Sequence, residues 1–230
     1  MKDMKQWVRL PTAWIEEGGL KALRWQDGAG SSNVAGLMLL SVIAHRADDD
    51  GLASHVTYDV FCQATGLSRT MVASGLSILY GHGLVEKSKD AQSAYQLCNY
   101  DPAKGWGKLP ARGLYRQDRI PAFHDLHLRK VTELDAMKLY FAVVARRDNA
   151  TNWARMSYET IEHYAGIPRN RIRSAISLLA ASHLLHVDHL ASQDSEFGVS
   201  NAYRLAHLET SRHMGTTGRR AIDGLPFEDA

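Results

Sequence analysis

Arg69, Thr70, Ala73, Ser74 and Ser77 fall at the spacing of one helix face, and Arg169, Asn170, Arg173, Ser174 and Ser177 repeat that spacing a hundred residues later. These side chains suit a DNA major groove. Arginine can bond N7 and O6 of guanine together, asparagine can read adenine, and small hydroxyl residues approach closely enough to bond phosphate or base edges. No Asp or Glu occurs from Leu67 to Gly83 or from Ile167 to His183. Neither segment would repel phosphate. Ser68 and Arg171 belong to the same candidate set by position.

A second group of cations suits backbone contact rather than base reading. Lys87 and Lys89 stand beside an expected loop tip, and Lys104, Lys108 and Arg112 lie in a Gly/Pro-containing stretch. The counterpart loop of the second half carries Asp188, Asp194 and Glu196, which phosphate would repel. Other chemistries have weaker support. His183, His186 and His189 recur every third residue, as do His124 and His127, but no cysteine or placed carboxylate completes a metal-binding set. They are read as surface or partly buried histidines, and neither metal nor cofactor is expected. The chain lacks GxxxxGK, GxGxxG and HExxH, so no enzymatic activity is expected. Tyr95 and Tyr203 are read as packing residues.

The elements that must hold these residues occur twice. Thr57-Tyr58 through Gly66-Leu67-Ser68-Arg69 to Leu76-Ser77 returns without a gap as Ser157-Tyr158 through Gly166-Ile167-Pro168-Arg169 to Ile176-Ser177. A repeat of this length is the size of a small domain. Each copy opens with an apolar helix: Leu37, Leu40 and Ile43 recur at helical spacing after the capping candidates Ser31 and Ser32, and Thr132-x-x-Asp135 has the form of a capping box before Met137. A second helix is predicted from Thr57 or Ser157 to the stop glycine Gly66 or Gly166. The third follows at once, its apolar stripe Val72, Leu76, Leu79, or Ile172, Ile176, Leu179, turned inward. Two short strands around a polar loop then close each copy, ending in Ala94-Tyr95-Gln96-Leu97 or Ala202-Tyr203-Arg204-Leu205.

Two helices joined by a short glycine turn and followed by a hairpin resemble the bacterial winged-helix DNA-binding superfamily, with Gln63-Ala64-Thr65-Gly66-Leu67-Ser68-Arg69 similar to its turn and recognition-helix start. The resemblance implies a mainly α fold with small β-hairpins (α+β), two tandem winged-helix domains from an internal duplication, and sequence-specific binding of double-stranded DNA, foremost as a transcriptional regulator. A plasmid or phage replication initiator and a protein-protein scaffold are the alternatives. Expected boundaries are 1–100 for the first domain with its lead-in, 101–118 for a basic linker, 119–208 for the second domain and 209–230 for a flexible tail. The lead-ins Arg9-Leu10-Pro11 and Arg119-Ile120-Pro121 are candidates for a strand or docking arm on their own domains.

Composition sets the outer limits. The chain has 230 residues, 45% hydrophobic, enough for two modest cores, and a net charge of only +2, so any nucleic-acid signal is local. Cys62 and Cys98 are far apart and fit a reducing compartment. No apolar run is long enough to span a bilayer. The expected setting is cytoplasmic and nucleoid-associated, with double-stranded DNA as partner and a second copy or a replication or transcription protein as further candidates.

Overall fold

The computed structural model describes residues 4–26, 28–88, 93–101, 103, 105–148, 151–191 and 199–208. In the first half come β1 (Trp7–Pro11), α1 (Ala13–Glu16), α2 (Gly19–Ala22), α3 (Gly30–Arg46), β2 (Leu52–Ala53), α4 (Tyr58–Thr65), α5 (Arg69–Gly81), β3 (Val85–Lys87) and β4 (Tyr95–Leu97). The second half runs β5 (Trp106–Pro110), a single 3-10 turn at Arg112–Leu114, α6 (Pro121–His124), α7 (Val131–Arg146), β6 (Trp153–Arg155), α8 (Tyr158–Ala165), α9 (Arg169–Ala181), β7 (Leu185–Ala191) and β8 (Val199–Leu205). The fold is α+β with small antiparallel sheets. Each half builds a three-stranded sheet with its last strand in the middle, β2-β4-β3 and β6-β8-β7.

Local chemistry sets both ends of α4 and α8 and the start of α5. Thr57 and Ser157 cap α4 and α8, their side-chain oxygens accepting from Val60 N at 3.3 Å and Thr160 N at 3.1 Å. Gly66 and Gly166 end those helices at φ 76° and 61°, the left-handed region that glycine enters without a Cβ penalty. Ser68 caps α5 by accepting from Met71 N at 3.2 Å. Two expected caps are different. Ser31 lies inside α3 and donates to Leu128 O at 2.8 Å, while Ala29 holds the N-cap position. The start of α7 is organised by Glu133 and not by Thr132 and Asp135: its carboxylate accepts from the backbone N–H groups of His127, Leu128, Arg129 and Lys130 at 2.6–3.1 Å. Four otherwise orphan donors make a stronger claim on one carboxylate than a single cap.

The centre is α3 and α7. Both are buried nearly all round, which explains why their apolar residues form no narrow stripe. They pack on each other, α5 lies across α3 and α9 across α7, and one hydrophobic core runs through both halves. The inward stripe of the third helices is as expected at Val72, Leu76, Leu79, Ile172 and Leu179, while Ile176 is half-buried at its edge. Tyr95 and Tyr203 are buried, Tyr95 with its ring edge-on to Phe61. Cys62 and Cys98 are free thiols.

The largest departure concerns the lead-ins and the presumed linker. Residues 106–110 are a strand, not a flexible connection: β5 pairs antiparallel with β1 from Trp7↔Pro110 to Pro11↔Trp106. A Cβ on Gly107 would run into the Val144 carbonyl, so the ribbon lies directly on α7. Each lead-in then crosses to the other half. The α1 and α2 segment packs on α7 and α8, with Glu16 paired to Arg146 at 3.5 Å and Lys138 Nζ donating to Leu23 O at 3.1 Å. In return α6 packs on α4, where Ile120 N donates to Ala64 O at 2.9 Å and His124 Nε2 to Gln63 O at 3.0 Å. Arg9-Leu10-Pro11 is a strand, β1, on α3 of its own half, as expected, and the crossing is made by α1, α2 and α6.

Candidate nucleic-acid interface

The third helices place most candidate residues outward. Ser68, Arg69, Thr70, Ala73 and Ser77 are exposed on α5 and Ser74 is half-buried; Arg169, Asn170, Arg173, Ser174 and Ser177 are exposed on α9. The reason is the 3.6-residue period, which turns the opposite stripe into the core and leaves these positions to solvent. Ser77 and Ser177 sit two turns on from the N-terminal arginines. The Ser177 hydroxyl is occupied, donating to Arg173 O at 2.9 Å.

Arg171 stands apart from this face. Its guanidinium turns toward α7 and forms an ion pair with Asp135, Nε to Oδ2 at 3.0 Å and Nη2 to Oδ1 at 3.2 Å. Asp135 is buried. Burial pushes its carboxyl above the usual range, against the pull of Arg171 and Lys138. The pair therefore ties the start of α9 to α7. It removes Arg171 from the outward set.

Space also supplies what the sequence of the third helices lacks. Asp59 on α4 pairs with Arg69 at 2.6 Å, and Glu162 and Glu159 on α8 reach Arg169 at 3.0 Å and 3.6 Å. Asp59 and Glu159 hold equivalent places in the first turn of their helices, where the helix dipole favours a carboxylate. These side chains are all largely exposed, and such surface pairs contribute only about 0–1 kcal/mol. The carboxylates aim the guanidinium groups without locking them. The acidic residues were visible in the sequence one helix upstream, but helix-by-helix counting could not bring them to the arginines.

The backbone-contact candidates are divided. Lys87 is exposed on β3 and Arg112 is exposed at the 3-10 turn. Lys89 and Lys104 lie outside the described residues, as do the second loop tip and the tail from residue 209. Lys108 has a structural engagement: its Nζ lies 4.7 Å from the Trp7 ring centre. Across the ribbon Arg9 Cζ lies 5.2 Å from the Trp106 ring, and the two indoles stack at 5.8 Å with planes 2° apart. Trp7-x-Arg9-Leu10-Pro11 and Trp106-x-Lys108-Leu109-Pro110 share a pattern ninety-nine residues apart. That signal could have found the ribbon, but the one-residue change in offset hid it.

No protein family and no curated protein matches the sequence. The geometry alone must carry the function. Among the described residues no three His, Cys, Asp or Glu side chains come together as a metal site, and no helix is long and apolar enough to cross a membrane. The exposed faces of α5 and α9, each with an arginine held by carboxylates of the preceding helix, are the candidate interface.

Proposed function

We propose that each half is a winged helix derived from an internal duplication and that the chain binds double-stranded DNA sequence-specifically through α5 and α9. Support comes from the recurring order of helix, strand, two helices joined by a glycine turn, and hairpin, with the last strand central in both sheets. The observation that carries the reading is the pair of outward faces on α5 and α9, rich in arginine, asparagine and hydroxyl groups and free of acidic residues of their own. DNA would exchange the weak Asp59 and Glu162 contacts for guanine edges or phosphate, at small cost. The longer β7–β8 hairpin and the short β3–β4 hairpin stand in the place of wings.

A DNA reader of this kind fits a transcriptional regulator best, with no catalytic step. Selection of duplexes from a random pool by the purified full chain tests it. Enrichment of one inverted or direct repeat supports a regulator, and iterated copies of one short element would point to a replication initiator. A pool that emerges without enrichment contradicts specific binding.

A further inference from the structure

An open cavity of about 450 Å³ lies between the crossed-over lead-in and the start of α9. Lys21, Arg24, Lys138 and Arg171 line it, with Asp135 as their carboxylate counterweight. Lys21 and Arg24 are exposed at its rim, whereas Lys138 is only 3% exposed at its floor. Burying an ammonium group is costly unless its N–H donors are satisfied. Lys138 carries three such donors, and among the described residues its hydrogen bond is to Leu23 O. The wall is closely packed: a Cβ on Gly166 would lie 3.1 Å from Lys21 Cγ, so α2 sits hard against the turn that precedes α9, as His124 of α6 does against Gly66 in the first half. At the equivalent positions of the first half, Ala35, Met38 and Met71 replace Asp135, Lys138 and Arg171.

We propose that this cavity binds a phosphate group, held by Lys21 and Arg24 at the rim and Lys138 at the floor. Four cations around one carboxylate favour an anion with several acceptor oxygens, and the volume lies within the range of ligand pockets, roughly 300–1,000 Å³. The phosphate comes either from a duplex lying along α9, which rests on the DNA reading above, or from a free polyphosphate. Burial, with Arg171 and Arg24 nearby, lowers Lys138 to about 8 against the attraction of Asp135. An arriving anion favours the charged form, so binding at pH 8 takes up protons.

Pyrophosphate titrated calorimetrically into the full chain, alongside duplex binding measured over a series of salt concentrations, tests the site. For Lys21→Gln combined with Arg24→Gln, both exposed, pyrophosphate binding is expected to weaken at least about tenfold and the log–log salt slope for duplexes to fall by about one unit per lost contact. Lys138→Met is expected to abolish the buffer-dependent proton uptake at pH 8. Loss of pyrophosphate binding with an unchanged duplex slope, or with no duplex bound by the natural protein, assigns the site to free polyphosphate and leaves the DNA reading to stand or fall separately. A reduced slope without pyrophosphate binding assigns it to the DNA backbone. If neither quantity changes in the double variant, or the natural protein binds neither ligand, the phosphate site is refuted.

Discussion

Arg9 and Lys108 are register partners at the centre of the β1–β5 ribbon, and each holds its cation over the tryptophan of the opposite strand. The relationship is reciprocal, as a local two-fold axis between them requires. The same reciprocity governs the core, where α3 meets α7, α2 meets α8 and α6 meets α4. One chain thus closes on itself as two copies of a protein do in an isologous dimer.

The ribbon should couple the halves measurably. Trp7→Ala and Trp106→Ala are each expected to destabilise the protein by about 1–3 kcal/mol, and the double variant by less than their sum, with a coupling of about 0.5–1.5 kcal/mol. Urea unfolding of the three variants gives the cycle. Strict additivity would mean that the stacked indoles contribute only by separate burial.

Because the lead-ins are exchanged, neither half should fold alone. Fragments 1–103 and 104–230 are each expected to lack cooperative thermal unfolding, and to regain it as a one-to-one complex when mixed. Two fragments that unfold cooperatively in isolation would show that the exchange is incidental.

Stability should fall in acid through His45. This imidazole is buried against Tyr115, Nδ1 to Oη 2.9 Å, and burial lowers its pKa from 6.5 to about 3. The unfolded chain then binds a proton that the folded chain refuses, so stability is complete above about pH 6.5. It declines by about 1.4 kcal/mol per unit as pH falls toward 3. His45→Phe is expected to flatten this part of the curve, at about 1–3 kcal/mol for the Tyr115 hydroxyl left without its partner. An unchanged acid slope in that variant would assign the loss to carboxylates.

The cations outside α5 and α9 should separate into two kinds. Lys87→Gln and Arg112→Gln are expected to weaken binding to all duplexes alike and to reduce the salt slope by about one unit each, without altering stability. Lys108→Gln should lower the melting temperature instead, since its ammonium lies on Trp7. If Lys108→Gln changes only the salt slope, the cation–π contact has no structural weight.

The helices, their glycine stops and the inward stripes were legible because each depends on neighbours within a few residues. Thr57, Ser157, Gly66 and Gly166 sit where their chemistry puts them. The ribbon was missed, because β1 and β5 pair across 94 residues of intervening chain and their shared Trp-x-cation-Leu-Pro pattern recurs at an offset one residue short of the repeat. Gly105, Gly107 and Pro110 read as linker punctuation, yet Gly107 is there to let β5 lie on α7. Arg171 shows the same limit at the candidate interface. One residue from Asn170 and two from Arg169, it turns inward because Asp135 waits on another helix.

Duplex binding by the natural protein and by Arg69→Ala, Arg169→Ala and Arg173→Ala tests the central claim most directly, using the sequence enriched from a random pool and a scrambled duplex of equal length. Each substitution is expected to cost about 1–3 kcal/mol on the enriched sequence where the lost contact is bidentate to guanine, and much less on the scrambled one. Three variants that keep natural affinity for both duplexes while melting as the natural protein does would contradict DNA reading by α5 and α9.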